Sequence, residues 1–174
     1  MVFKNKIALV VDDSVTIRHQ IKILLRKHNI SVLEAHDRKS MMNNLSVNNK
    51  LVDIIIMDLG LKDTTGFDLM DSLREDPRYA KIPIIVLTGD STKAAVLTAA
   101  RFKIAFYAVK PINPNDLVSK IMTTLEASEA KDHDQAQPRK DDDFDVFADI
   151  ELDLDEQVDK TKSRYFMLDK KNKK

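Results

Sequence analysis

Residues 54–66 read IIIMDLGLKDTTG: three isoleucines and a methionine, one aspartate, then a loop holding two of the chain's three glycines. An unbroken apolar run of this kind suits a strand buried on both faces, at the centre of a parallel sheet. A lone carboxylate at its end, beside conformationally free backbone, marks the rim where such a sheet opens to a ligand. The pattern recurs on either side of this strand. KIALVV (6–11) runs into Asp12 and Asp13, IPIIVLT (82–88) ends on Thr88, and IAFYAVK (104–110) ends on Lys110. ISVLEA (30–35) alternates apolar and polar residues, as an edge strand does.

Segments of helical period separate these runs. SVTIRHQIKILLRKH (14–28) carries an apolar stripe of Val15, Ile17, Ile21, Leu24 and Leu25, with Ser14 as its cap. DRKSMMNNLSV (37–47) opens at Asp37, and GFDLMDSLRED (66–76) stops before Pro77. STKAAVLTAARF (91–102) and NPNDLVSKIMTTLEASEA (113–130) follow, the last starting near Pro114 at a favoured first-turn position. Five strand-helix units in succession predict an α/β fold, a doubly wound parallel five-stranded (βα)5 sheet with right-handed crossovers.

The 174 residues, 43% of them hydrophobic, suit one domain with an appendage. The 28 basic residues balance the 28 acidic ones, so no global field draws the chain to nucleic acid or membrane. Cysteine is absent, which excludes disulfides and thiolate metal sites. The N-terminal apolar run is short, with no leader pattern and no membrane span, so a cytoplasmic protein is expected. The domain is expected over 1–128, a linker over 129–140 and a charged tail over 141–174. In the tail, 141–159 holds ten acidic residues and no basic one, and 160–174 holds seven basic residues against Asp169. Such blocks are commonly disordered. DDDFDVFADIELDLDEQV (141–158) also offers apolar anchors, Phe147, Ile150, Leu154 and Val158, for docking on a partner or back on the domain.

In an open parallel sheet, ligands bind beyond the carboxyl ends of the strands. Asp12, Asp13, Asp58, Thr88 and Lys110 all fall there. Each alone has a plainer reading: DDS as a turn and helix cap, Asp58 as a turn residue, Thr88 as a cap of the fourth helix, Lys110 as a surface lysine. Four strand ends carrying complementary chemistry favour a site. Three crowded carboxylates repel, and a divalent cation removes the difficulty. With oxygen ligands alone, Mg²⁺ is the natural occupant. Asp58 is then a nucleophile toward a phosphoryl group, with Thr88 as hydrogen-bond donor and Lys110 as counter-ion. Gly60, Gly66 and Gly89 lie on loops lining this rim, where a missing Cβ permits close approach or positive φ; Gly66 alone also fits a helix-start turn.

In order and spacing, LVVDDS, IIIMD, Gly66, VLT and YAVKP resemble the receiver domain of two-component response regulators, of the chemotaxis type, over residues 5–126. The resemblance implies a flavodoxin-like sheet of order 2-1-3-4-5. It implies phosphotransfer to Asp58 from a histidine kinase or histidine phosphotransfer protein. It implies Mg²⁺ held by Asp13, Asp58 and the carbonyl of Gly60, with Asp12 assisting through water, and a cis Lys110-Pro111 bond. It implies that Thr88 and Tyr107 move together on phosphorylation, reshaping the face of the fourth helix, fifth strand and fifth helix. That face would serve a downstream protein, the chain's own tail or a phosphorylation-dependent dimer. Kinase docking is expected around Ser14, Val15 and Arg18. Two residues depart from the family pattern: Lys62 stands in place of a usual proline, and Lys103 where a glycine often precedes the fifth strand. The expected role is signalling rather than enzymatic. The alternatives are a receiver-fold interaction module that is never phosphorylated, and a Mg²⁺ phosphatase of the haloacid dehalogenase type with Asp12 as nucleophile. The latter is disfavoured by Ser14 where a second aspartate belongs. The residues after the fifth helix are too few and too charged for a winged helix, so sequence-specific DNA binding is not expected.

Overall fold

The computed structural model describes residues 6–48 and 51–133. They form strands β1 (Lys6–Val11), β2 (Ile30–Ala35), β3 (Ile54–Met57), β4 (Ile84–Thr88) and β5 (Phe106–Val109), alternating with helices α1 (Val15–Arg26), α2 (Arg38–Asn48), α3 (Gly66–Glu75), α4 (Lys93–Ala100) and α5 (Pro114–His133). All strand pairs are parallel, and the order is β2-β1-β3-β4-β5, as expected. β2 lies at an edge and β3 at the centre with all four residues buried. The α5 helix takes in 129–133, the first residues of the expected linker. Glu129 in that turn pairs with Lys6 at 3.1 Å, which ties the helix end to the start of β1. The tail expectations for 141–174 lie outside the described residues.

Strand alternation divides the core into two layers. Ala8, Val10, Ile54, Ile56, Ile85 and Leu87 share one cluster with Ile21 and Leu25 of α1 and Leu117, Ile121 and Leu125 of α5. Their neighbours Leu9, Val11, Ile55, Met57, Ile84 and Val86 point to the opposite face. There α2, α3 and α4 supply buried residues of their own, among them Met41, Leu45, Leu69, Leu73 and Val96. Each fully buried isoleucine contributes about 2 kcal/mol of burial free energy, so the four residues of β3 fix the sheet centre firmly. The α1 stripe differs from expectation at its start. Val15 is 68% exposed, and the buried face is Arg18, Ile21 and Leu25.

The helix starts settle two ambiguities. Ser14 caps α1 by accepting from the Ile17 N–H. Thr92, not Thr88, caps α4 by accepting from the Ala95 N–H, which leaves the Thr88 hydroxyl to the strand end. Asp37 accepts from the Ser40 N–H at the start of α2, and Thr65 with Asp68 forms a reciprocal capping box at α3.

No described glycine has positive φ, so backbone freedom is not what the rim glycines supply. A Cβ on Gly66 would lie 2.6 Å from the Asp58 carbonyl oxygen and 2.7 Å from Leu59 Cα. The start of α3 therefore packs directly on the backbone that carries Asp58. Gly60 and Gly89 have room for a Cβ. The left-handed positions belong instead to Asn29 (φ 58°) and Lys103 (φ 51°), each closing the turn after a helix. The Lys103 position explains why a glycine is usual there: a side chain at such φ costs on the order of 1 kcal/mol.

Gly66→Ala is expected to lower the urea-unfolding free energy by about 1–3 kcal/mol, because backbone must shift, while Gly89→Ala stays within about 0.5 kcal/mol of wild type. Lys103→Gly is expected to raise stability by roughly 0.5–1 kcal/mol, the relief of strain exceeding the added flexibility of the unfolded chain. Unchanged or lower stability by denaturant titration would remove the strain assigned to that position.

Candidate functional site: an acidic cluster bridged by a lysine

The site assembles from four strand ends. Val11 leads into Asp12 and Asp13, Met57 into Asp58, Thr88 closes β4, and Val109 leads into Lys110. One carboxylate oxygen from each of Asp12, Asp13 and Asp58 lies within 4.8 Å of the others. Lys110 Nζ donates to Asp12 Oδ2 and Asp58 Oδ2, both at 2.6 Å. The Lys110-Pro111 peptide bond is cis, as the resemblance implied.

The remaining contacts differ among the three acids. Asp12, 3% exposed, uses its second oxygen to accept from the Ser14 N–H at 2.8 Å. Asp58 accepts from the Gly60 N–H at 3.1 Å. Asp13 meets the ammonium of the exposed Lys62 at 3.7 Å. Burial pushes the Asp58 carboxyl up, but the Lys110 hydrogen bond and charge, the Gly60 N–H and the Thr88 hydroxyl together bring it below the usual carboxylate range. Burial likewise disfavours the charged Lys110, and its two carboxylates reverse that, so its pKa is raised. Both groups are thus ionised at neutral pH.

Thr88 and Tyr107 are joined through Asp90. Thr88 Oγ1 accepts from the Asp90 N–H at 3.3 Å, and the Tyr107 hydroxyl donates to the Asp90 carbonyl at 2.8 Å. Tyr107 is 5% exposed, and burial, with the charges of Asp90 and Asp58, holds its phenol well above the ordinary range. The β4–α4 loop therefore hangs between a rim hydroxyl and a strand-five ring.

One expected surface residue is structural instead. Arg18 is 8% exposed, donates to the Asp12 carbonyl at 2.6 Å and faces Glu34 Oε2 at 3.5 Å. Its burial corrects its assignment to a kinase-docking face: it holds the Asp12 backbone from below. The i, i+3, i+7 spacing with Ile21 and Leu25 was the signal, since it places Arg18 on the buried stripe. Arg74 was also not anticipated. Its guanidinium donates to the carbonyls of Phe102, Ala80 and Ile82, fastening α3 to the turns before β4 and β5. Burial lowers its pKa.

The donor set is hard oxygen with excess negative charge, which suits a small divalent cation. Among the described residues no helix is long and apolar enough to cross a membrane.

Comparison with known proteins agrees with this geometry. Residues 8–122 match the family model for the response regulator receiver domain. The chain is 36% identical over 118 residues to the chemotaxis protein CheY1 of Helicobacter pylori, covering 67% of this chain and 94% of that one. Among solved structures, chemotaxis protein CheY4 of Vibrio cholerae superposes with a TM-score of 0.62 at 26% identity, covering 68% of this chain and 98% of that one. A receiver domain from Clostridium thermocellum gives a TM-score of 0.67 at 24% identity, covering 72% and 98%, and bears on the fold alone. Strand order, rim chemistry and family match coincide over the same residues, and the chain belongs to the response regulator receiver domain family of two-component signalling.

Proposed function

We propose that this domain is a phosphorylation switch that takes a phosphoryl group on Asp58 from the phosphohistidine of a histidine kinase or histidine phosphotransfer protein. The observation that carries the reading is the Asp58 carboxylate, ionised and 9% exposed, held 2.6 Å from Lys110 inside a three-carboxylate cluster. In the transfer a carboxylate oxygen forms a bond to phosphorus as the phosphorus–nitrogen bond to the donor imidazole breaks, and the electron pair leaves with the imidazole. Asp13, Asp58 and the Gly60 carbonyl, with Asp12 alongside, would hold Mg²⁺, which supplies charge neutralisation for the transferring oxygens.

The chain's own residues do the rest. Lys110 keeps Asp58 in its nucleophilic form and then pairs with the added dianion. Thr88 turns its hydroxyl from the Asp90 N–H to a phosphoryl oxygen. Because the Asp90 carbonyl holds Tyr107, that turn loosens both ends of one short loop and alters the surface of α4, β5 and α5, where a downstream protein or a second copy of the domain binds. Moving such a switch from one per cent to ninety-nine per cent active takes about 5.5 kcal/mol of differential interaction. New charge-assisted bonds from a dianion to Lys110 and Thr88 are the available source.

The geometry favours this signalling role over a phosphatase that uses Asp12. Asp12, at 3% exposure, is more deeply buried than Asp58 at 9%, and its backbone carbonyl is held by Arg18, so it is the less accessible of the two to an incoming phosphoryl group. Incubation with a small-molecule phosphodonor and Mg²⁺ should add one phosphoryl group by intact-mass spectrometry. Asp58→Ala, or removal of Mg²⁺ with a chelator, should abolish it. Equal labelling of Asp58→Ala would refute the assignment.

A further inference from the structure

The acidic cluster meets a second ammonium besides Lys110. Lys62 Nζ lies 3.7 Å from Asp13 Oδ2, the carboxylate that Lys110 does not bridge. We infer that Lys62 is a tethered counter-ion that competes with Mg²⁺ for Asp13 and so sets the cation concentration at which the site loads. The inference rests on the cation-dependent reading above and concerns a residue that no part of that reading uses.

Three features carry it. The first is charge. Three carboxylates facing Lys110 alone leave an excess of two negative charges, and Lys62 removes one of them only while it stays at Asp13. A divalent cation arriving there must displace or repel that ammonium. The second is placement. The loop carrying Lys62 is pinned on both sides, by the Gly60–Thr65 bridge, by Asp63 accepting from the Arg38 N–H at 3.1 Å, and by the Thr65–Asp68 capping box. Lys62 therefore starts from a fixed point on the rim of the cluster. The third is mobility of the side chain itself. At 84% side-chain exposure it can swing into solvent when a cation binds, so it tunes affinity without blocking the site. A solvent-screened ion pair at this separation shifts a binding constant by about fivefold at low salt and by less at high salt.

The test is a MgCl₂ titration of the full chain by isothermal calorimetry, with thermal stability of each variant as a check on folding. Lys62→Gln should bind Mg²⁺ about fivefold more tightly than wild type in dilute buffer, and the gain should shrink as KCl rises, as screening requires. Lys62→Arg should resemble wild type. Lys81→Gln removes the same charge from an exposed residue ahead of β4, at the far end of the sheet, and should leave the affinity unchanged. In an Asp13→Asn background the Lys62→Gln gain should vanish. An unchanged affinity for Lys62→Gln, or the same gain with Asp13→Asn or Lys81→Gln, would overturn the inference while leaving the cation site standing. A wild-type chain that takes up no Mg²⁺ would overturn the site reading itself, and this inference with it.

Discussion

The arrangement turns on one ammonium shared by two carboxylates. Lys110 bonds to Asp12 and Asp58 at 2.6 Å each, across 98 and 52 residues of sequence. Strands in a sheet lie about 4.8 Å apart, so the end of β3 is roughly 10 Å from a residue leaving β5, across the whole of β4, and the end of β1 is roughly 14 Å away. Only a long side chain spans that gap, and a lysine also brings the charge that the three acids need. Removing that charge would leave neighbouring carboxylates in mutual repulsion within a partly buried site. The same span puts Thr88, at the end of β4, directly on the lysine's path.

Support for the cluster comes from beneath and beside it. Arg18 holds the Asp12 carbonyl, and Ser14 supplies an N–H to the Asp12 carboxylate while capping α1. On the other side, α3 begins so close to the Asp58 and Leu59 backbone that only glycine fits at position 66. Asp58, the carboxylate proposed to react, thus sits between a strand end and a helix start. Thr88, Asp90 and Tyr107, the residues that the proposed switch would move, are linked in series by two hydrogen bonds. On the proposed function, a fixed acceptor beside a loop hung on two hydrogen bonds suits a binary output, since a switch needs two discrete arrangements and a group that favours one of them.

Much of this was legible in the amino-acid order. The run of isoleucines at 54–56 reads as a central strand, and the polar residues closing four apolar runs mark the rim. Length and period fixed five strand-helix units, since each apolar run is too short for a helix. What stayed hidden depended on tertiary context. Glycine at 66 read equally as a turn or a site residue, because close approach of two backbones leaves no local pattern. Arg18 was expected at a docking surface on the strength of the resemblance, although its spacing with Ile21 and Leu25 places it on the buried stripe. Thr88 and Thr92 are both sound helix caps by composition, and only the geometry of the loop between them assigns the cap to Thr92. Lys62 and Lys103 stood out as departures, but their consequences, a charge beside Asp13 and a strained turn, arise only from the folded geometry.

The proposed switch requires Asp58 to accept a phosphoryl-like group only within a cation-loaded cluster, and beryllofluoride, a tetrahedral analogue that binds carboxylates, tests this without turnover. Amide NMR of the full chain titrated with beryllofluoride should show saturable shifts at Asp58, Thr88, Asp90, Tyr107 and Lys110 when Mg²⁺ is present, and none when it is withheld. Shifts that appear without Mg²⁺, or that spare Thr88 and Tyr107 while Asp58 saturates, would contradict it.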